Sequence, residues 1–180
     1  MKRLLKLTKA LSDGVDRVAF LLMMFYMIAV TILVILGVVL RQIGLGLAWS
    51  EEVARWFLIG LAFVGASVAF KRQEHIAVLL FTMKAPAPLR RLFLIAANIV
   101  VLIFLGFSVR YGWSMAVTAS RQMGAVVEIP MIYSKMNIPL GAFLMLIHCL
   151  YFLVGLLADK SHTSKYMISS SGIVRDQEVL

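Results

Sequence analysis

Three charged residues at the start of an apolar stretch are the first candidates for chemistry in this sequence. Glu51 and Glu52 lie four and three residues before Arg55, so in a helix both carboxylates can reach its guanidinium. One interpretation is a surface anchor with local salt bridges, but exposed ion pairs contribute only about 0–1 kcal/mol. We therefore favour an interaction site, in which the charges fix helix packing or bind a partner.

A histidine within a long uncharged run is the second candidate. His148 would need a second axial histidine to hold a membrane haem, but His75 and His162 lie at or beyond the ends of the uncharged runs. We therefore expect His148 to make a polar contact between helices. Asn98 is expected to form an interhelical hydrogen bond. Cys149, the single cysteine, is expected to be a small packing residue.

Small residues form a face on the second uncharged run. Ala62, Gly65, Ala66 and Ala69 have the spacing at which two helix backbones approach closely. The face has two interpretations: packing within the chain's own bundle, or docking onto another subunit. The pattern is common in membrane helices and does not decide between them.

Four apolar segments must position these residues. Of the 180 residues, 62% are hydrophobic, whereas a soluble domain has about 45–50%. At about 1.5 Å per residue, helices of this length can cross a hydrocarbon core of about 30 Å. The predicted spans are residues 18–40, 48–70, 92–109 and 136–158. The sequence thus predicts an all-α integral membrane domain over residues 1–160, followed by a polar, mobile tail over 161–180.

The basic residues orient the domain. Thirteen of the 18 lysines and arginines lie in the N-terminal segment, the loop over 71–91 or the segment after residue 158, and five lie in the other two loops. This asymmetry predicts that both termini and the middle loop are cytoplasmic. The net charge of +9 is then explained by anionic lipid, not by nucleic acid. The predicted lipid-interface anchors are Lys2, Arg3, Lys6, Lys9, Trp56 and Trp113.

Two shorter segments are predicted to lie along the membrane surface. In residues 2–12, Leu4, Leu7 and Leu11 form one stripe while lysines occupy the rest of the wheel, which is typical of an interfacial amphipathic helix. Residues 74–83 are apolar but too short to cross the bilayer, so a horizontal cytoplasmic helix is expected there.

The spans lack the groups that a carrier uses. Coupled carriers usually place ionisable residues near mid-membrane, but the deep parts of the four spans contain no Asp, Glu, Lys or Arg. The first span has no buried acid, which disfavours a small four-helix exporter. We expect no catalytic residues and no metal or cofactor site, and we do not expect the chain to move a solute alone.

The charged cluster belongs to a longer ordered pattern. Arg41 follows the first span, then come Trp49-Ser50-Glu51-Glu52, Arg55, Gly65-Ala66-Ser67 and Lys71-Arg72-Gln73-Glu74-His75-Ile76. The order and spacing resemble the signature of the small, DctQ-type membrane subunit of TRAP (tripartite ATP-independent periplasmic) transporters. The candidate subunit-interface or helix-packing residues are Arg41, Trp49, Glu51, Glu52, Arg55, Gly65, Ser67 and His75.

The resemblance implies a division of labour in the bacterial inner membrane. A large membrane subunit would carry the substrate and sodium sites and move as an elevator, and a periplasmic substrate-binding protein would deliver an organic acid, a C4-dicarboxylate or a sialic acid. The small subunit would pack against the large one and enlarge its static scaffold. A non-transporting assembly or regulatory tetraspan, and the membrane anchor of a respiratory complex, remain as alternatives.

Overall fold

Four long helices dominate the computed structural model, which describes residues 2–72 and 87–158. They are α1 (Lys2–Gln42), α2 (Ala48–Lys71), α3 (Ala87–Thr118) and α5 (Asn137–Ala158). A 3₁₀ turn (Ala119–Arg121) and the short α4 (Ile132–Lys135) lie between α3 and α5. All four long helices are long and apolar enough to cross a membrane. The predicted all-α fold with four transmembrane helices is therefore confirmed.

Helix α5 lies at the centre of the bundle and packs against α1, α2 and α3. Consecutive long helices are antiparallel, so the bundle has two distinct ends. We call the end at which α2 and α5 begin the loop end, because it carries the connections over 43–47 and 119–136. The opposite end, where α1 begins and where α2 and α5 finish, is the terminal end.

Two hydrogen bonds fix the register of α1 against α5. Ser12 Oγ lies 2.8 Å from His148 Nδ1, and the Tyr26 hydroxyl donates to Asn137 Oδ1 at 2.8 Å. Asn137 is the first residue of α5, whereas α1 continues to Gln42. The 16 residues of α1 after Tyr26 therefore extend about 24 Å beyond the start of α5. Over that length α1 is paired with the first turns of α2.

Glycines allow the closest helix approaches. The Tyr26 ring of α1 packs directly on Gly60 of α2, so that a Cβ at Gly60 would lie 2.5 Å from Tyr26 Cε2. On α5, a Cβ at Gly141 would lie 2.6 Å from Phe63 Cβ. The position of Gly65 faces Met23 of α1 at 3.8 Å. The small-residue face of α2 thus packs within the chain's own bundle at Gly65.

Two apolar clusters fill the interior. One contains Ala19, Val64, Val68 and Leu144, and the other contains Leu105, Ala142 and Cys149. Cys149 is fully buried, in agreement with its predicted packing role. Its thiol donates to the Asn98 carbonyl oxygen at 3.4 Å, while the Asn98 carboxamide nitrogen donates within its own helix to Leu94. The same thiol also lies 3.8 Å from the side-chain Oδ1 of Asn98, so the predicted interhelical hydrogen bond of Asn98 is confirmed.

The helix ends differ from the predictions in two places. Residues 2–12 are the first turns of the continuous α1, not a separate surface helix, because Ser12 and Asp13 hold this part of α1 against α2 and α5. Helix α3 continues past Arg110, whose exposed side chain does not interrupt it. The predicted helix over 74–83 and the tail over 161–180 lie outside the described residues.

Candidate functional site

The buried carboxylate of Glu52 is the centre of the loop end. Glu52 lies in the second turn of α2, and only 4% of the residue is exposed. The backbone N–H of Ala125 donates to Oε1, and those of Val126 and Val127 donate to Oε2, each at 2.8 Å. Glu52 therefore joins the start of α2 to the loop between α3 and α4.

The loop is shaped to receive this carboxylate. Successive N–H groups that point into one concavity form an anion-binding nest, and here the anion is supplied by the chain itself. Two backbone bonds close the loop, from Gly124 N–H to the Ile129 carbonyl at 3.0 Å and from Met131 N–H to the Gln122 carbonyl at 2.8 Å. A Cβ at Gly124 would lie 2.7 Å from Glu52 Oε1, so a larger residue would displace the carboxylate.

Glu51 points away from the loop and forms an ion pair with Arg41 of α1. Both side chains are mostly exposed, Arg41 to 70% and Glu51 to 54%. The pair joins the end of α1 to the start of α2 across a turn in which Gly44 has a positive φ of 77°. The two adjacent glutamates thus have different partners and different environments.

The predicted ion pairs of Arg55 within α2 are absent among the described residues. Each glutamate has a better partner: Glu51 has a guanidinium on α1, and Glu52 has three amides in a fixed geometry. Arg55 is exposed, and no carboxylate lies within 4.0 Å of it among the described residues. Trp49 and Trp113 are exposed near the same end of the bundle.

A groove opens between α1 and α2 beside the Arg41–Glu51 pair. Its cavity volume is about 160 Å³, and it is lined by Leu33, Val34, Gly37, Val38, Arg41, Ser50, Glu51 and Ala54. The floor is made by small residues, since a Cβ at Gly37 would lie 3.1 Å from Ser50 Oγ. The Ser50 hydroxyl is turned back to the Leu47 carbonyl at 2.8 Å.

A polar cluster joins three helices near the terminal end. The Lys71 ammonium of α2 donates to Ser12 Oγ at 2.6 Å and to Asp13 Oδ1 at 2.7 Å, both on α1. It also lies 4.7 Å from the centroid of the Tyr151 ring on α5. Because Ser12 accepts from Lys71, its own proton is free to donate to His148 Nδ1. The predicted polar helix contact of His148 is thereby confirmed.

Sequence reasoning missed the partners in this cluster and one further contact. The sequence predicted Lys71 only as a loop residue and as part of the ordered pattern, and it predicted no role for Asp13. Arg91, also taken as a loop residue, donates to the Leu156 carbonyl at 2.8 and 3.1 Å and so binds a carbonyl that the end of α5 leaves without a helical partner. For Lys71 and Arg91, the sequence signal was a charge immediately beside a predicted span.

The remaining predicted site residues are scattered. Ser67 is fully buried on α2, and its hydroxyl has no hydrogen-bond partner within the described part of the chain. Gly65 packs on α1, as above. Trp56 is half-buried, whereas Arg3, Lys6 and Lys9 are exposed along the start of α1. His75 lies outside the described residues.

Comparison with known proteins places this architecture in a family. The family model of the DctQ component of tripartite ATP-independent periplasmic transporters matches residues 30–159, which include the Glu52-bound loop, the Arg41–Glu51 pair and the groove. A Haemophilus influenzae protein assigned as a TRAP transporter small permease is 33% identical over 79 residues, which are 43% of this chain and 49% of that protein. The Vibrio cholerae sialic acid TRAP transporter small permease protein SiaQ is 32% identical over 68 residues, 38% of this chain and 39% of that protein.

The matched stretches span about half or less of the length of these curated relatives. The family model, in contrast, covers well over half of the chain. With four apolar helices of spanning length, the chain is a multi-pass protein of the bacterial inner membrane. It belongs to the DctQ family, the small membrane components of TRAP transporters.

Proposed function

We propose that this chain is the scaffold subunit of a sodium-coupled TRAP transporter that imports an organic acid. In this proposal a large, elevator-type membrane subunit carries the substrate and the sodium ions, and a periplasmic binding protein delivers the substrate. The scaffold role is supported by the partners of the polar side chains, which belong to other helices and loops of the same chain. Glu52, Lys71 and Arg91 each bind a different helix or loop of this chain.

Three contacts illustrate this use. Glu52 joins α2 to the loop between α3 and α4 through three amides. Lys71 joins α2 to α1 through Ser12 and Asp13. Such bonds oppose relative movement of the helices, which suits a static body better than a moving carrier. A carrier would need ionisable groups that exchange partners during transport.

A sialic acid is the first substrate class to test, because one relative is named for sialic acid transport. C4-dicarboxylates are the second class, from the resemblance of the charged pattern to this family. On this proposal the terminal end is cytoplasmic, because most basic residues lie in the sequence segments that adjoin the helix ends there, and the loop end faces the periplasm.

The test is purification of the tagged chain from native membranes in mild detergent, with mass spectrometry of the proteins that accompany it. We expect a larger polytopic partner in a fixed ratio, and sodium-dependent uptake of an organic acid once that partner and the binding protein are reconstituted with it. A chain that remains alone in several mild detergents would contradict the proposal and favour the independent tetraspan alternatives.

Arg55 provides a variant for the same assay. Its side chain is exposed on α2, and no carboxylate lies within 4.0 Å of it among the described residues, so a partner can bind it. We expect Arg55→Ala to reduce recovery of the large subunit several-fold while membrane insertion is unchanged. Full recovery together with full uptake would exclude Arg55 from the interface. Arg121→Ala, at an exposed position beyond α3, is the matched control.

A further inference from the structure

We propose that Arg17 and Arg72, at the terminal end of the bundle, form a binding site for the phosphate group of an anionic phospholipid. Arg17 lies on α1 and Arg72 caps the end of α2, so the site joins the two helices. Three features support it: the ring that holds Arg72, the partners of the neighbouring acids, and the position of both arginines at the ends of apolar runs. The inference does not depend on the proposed transport function.

The Phe20 ring of α1 holds the guanidinium of Arg72. Arg72 Cζ lies 5.2 Å from the centroid of this ring, which is within the range of a cation–π contact. A guanidinium that lies over an aromatic face still presents the N–H groups at its edge, and their fork matches two oxygens of a phosphate. The contact therefore orients a phosphate-binding group without using its donors.

Arg17 lies one turn before Phe20 on α1. Residues three apart on a helix are neighbours, and helical side chains lean toward the N-terminus of their own helix. The Phe20 ring, with the Arg72 guanidinium over it, is therefore directed toward the turn that carries Arg17. Both arginines are exposed, so each guanidinium can turn toward one shared anion.

The neighbouring acids do not neutralise these two arginines. Asp13 is paired with Lys71 at 2.7 Å, and Oδ1 of Asp16 is buried. Within the part of the chain that the structure describes, no carboxylate lies within 4.0 Å of the guanidinium of Arg17 or of Arg72. Two cations at one surface, each without such an acidic partner, are complementary to an anion.

The position of the arginines favours a lipid phosphate over a free one. Arg17 immediately precedes the uncharged run 18–40, and Arg72 follows the last apolar turn of α2. Both therefore lie where the hydrocarbon core meets the headgroups. Leu21 and Phe25 continue the stripe of α1 that begins at Arg17, at spacings of four residues, and they are 68% and 57% exposed. A phospholipid can place its phosphate on the arginines and an acyl chain along this stripe.

Lipid titration into the purified full-length chain tests the site. The probe is phosphatidylglycerol added in detergent, with bound lipids counted by native mass spectrometry. We expect saturable binding to the wild-type chain and about tenfold weaker binding to Arg72→Gln, because the charged hydrogen bonds to the phosphate are lost. Lys9→Gln removes the same charge from another exposed position near the same end. It is the matched control and should bind as the wild type does.

Two further variants test the geometry at Arg72. Arg72→Lys keeps the charge but loses the planar fork, and Phe20→Leu removes the aromatic face while keeping an apolar side chain. We expect each to weaken lipid binding about threefold. Because Arg72 is exposed, the unfolding temperature without added lipid should stay at the wild-type value in both Arg72 variants. Wild-type affinity of Arg72→Lys and Phe20→Leu together would overturn the stacked site.

The remaining outcomes separate the sources of the phosphate. Glycerol 3-phosphate offers a phosphate without acyl chains, and we expect that it does not displace phosphatidylglycerol at equal concentration. Displacement would overturn the assignment to lipid in favour of a soluble phosphate ester. Equal weakening by Arg72→Gln and Lys9→Gln would show only a general attraction between basic residues and anionic lipid. That result, or binding of phosphatidylcholine as tight as that of phosphatidylglycerol, would also overturn the inference.

Discussion

At the scale of single residues, Glu51 and Glu52 lie in the same helix turn but bind different partners. Adjacent positions on a helix point about 100° apart, so one glutamate reaches the loop over the bundle and the other reaches α1. Glu52 is buried and accepts three amide hydrogen bonds, whereas Glu51 is exposed and forms one ion pair. The same residue type therefore holds an internal loop at position 52 and forms an exposed ion pair at position 51.

The two glutamates should differ sharply on substitution. Glu52→Ala removes the acceptor of three N–H groups, so we expect the unfolding temperature in detergent to fall by about 5 °C or more. Hydrogen exchange should also accelerate at Ala125, Val126 and Val127. Glu51→Ala is the matched control and should have little effect on either, because exposed ion pairs contribute little. Equal effects of the two substitutions would contradict the role of Glu52 in holding the loop.

Sequence reasoning located the charged cluster at the loop end but not its partners. The charges beside an apolar run indicated an interaction site, and the family pattern added Arg41. The partners of Glu52 are backbone N–H groups more than 70 residues later. Backbone donors have no side-chain signature, so no pattern in a single sequence reports them. Among the residues at this contact, only Gly124 has a residue type that relates to it, because a glycine permits the close approach of the carboxylate.

The Lys71 cluster gives a second prediction at the residue scale. Lys71→Met leaves Asp13 and Ser12 without their donor, and we expect a loss of about 1–3 kcal/mol in the free energy of unfolding. Adding Asp13→Asn removes the uncompensated charge, so the double variant should recover part of that loss. A double-mutant cycle of unfolding measurements gives the coupling. Strictly additive effects would show that the pair is not a functional contact.

At the scale of helices, hydropathy predicted the existence of the spans better than their ends. Apart from Met136, each predicted run lies inside one long helix, because lipid requires about 20 apolar residues with every backbone group bonded. Charges were taken as boundaries, yet α3 continues past Arg110 and α1 begins well before Arg17. A charged residue ends an uncharged run, but it does not end a helix when its side chain reaches a partner or solvent.

The glycine contacts between helices give a prediction at this scale. A Cβ at Gly141 of α5 would lie 2.7 Å from the Phe63 carbonyl carbon and oxygen, which are backbone atoms and cannot rotate away. We expect Gly141→Ala to push α5 from α2 and to cost about 1–3 kcal/mol of stability. Gly106→Ala on α3 meets nothing within 4 Å and should be neutral or stabilising by up to about 1 kcal/mol. Thermal unfolding of both variants in detergent measures the contrast, and equal stability would exclude the close packing.

At the scale of the whole molecule, the bundle is staggered. Ser12 of α1 lies beside His148 in the middle of α5, and Tyr26 lies beside the start of α5. The α1–α2 hairpin therefore extends beyond the other helices at the loop end, where the Glu52-bound loop covers one side. Hydropathy could not predict this offset, because each span is apolar along its length and interhelical register is fixed by a few polar pairs and glycine contacts.

The orientation of this staggered bundle decides which compartment contains the groove. Among the described residues, nine of the 14 lysines and arginines lie in or beside the helix turns at the terminal end, so we expect that end in the cytoplasm and the loop end in the periplasm. Because Cys149 is buried, single cysteines at Ser120 and Lys6, both exposed, report each end separately. A membrane-impermeant maleimide applied to intact spheroplasts should label Ser120→Cys at once and Lys6→Cys only after permeabilisation. The reverse pattern would place the Arg41–Glu51 pair and the groove in the cytoplasm, where a periplasmic binding protein could not reach them.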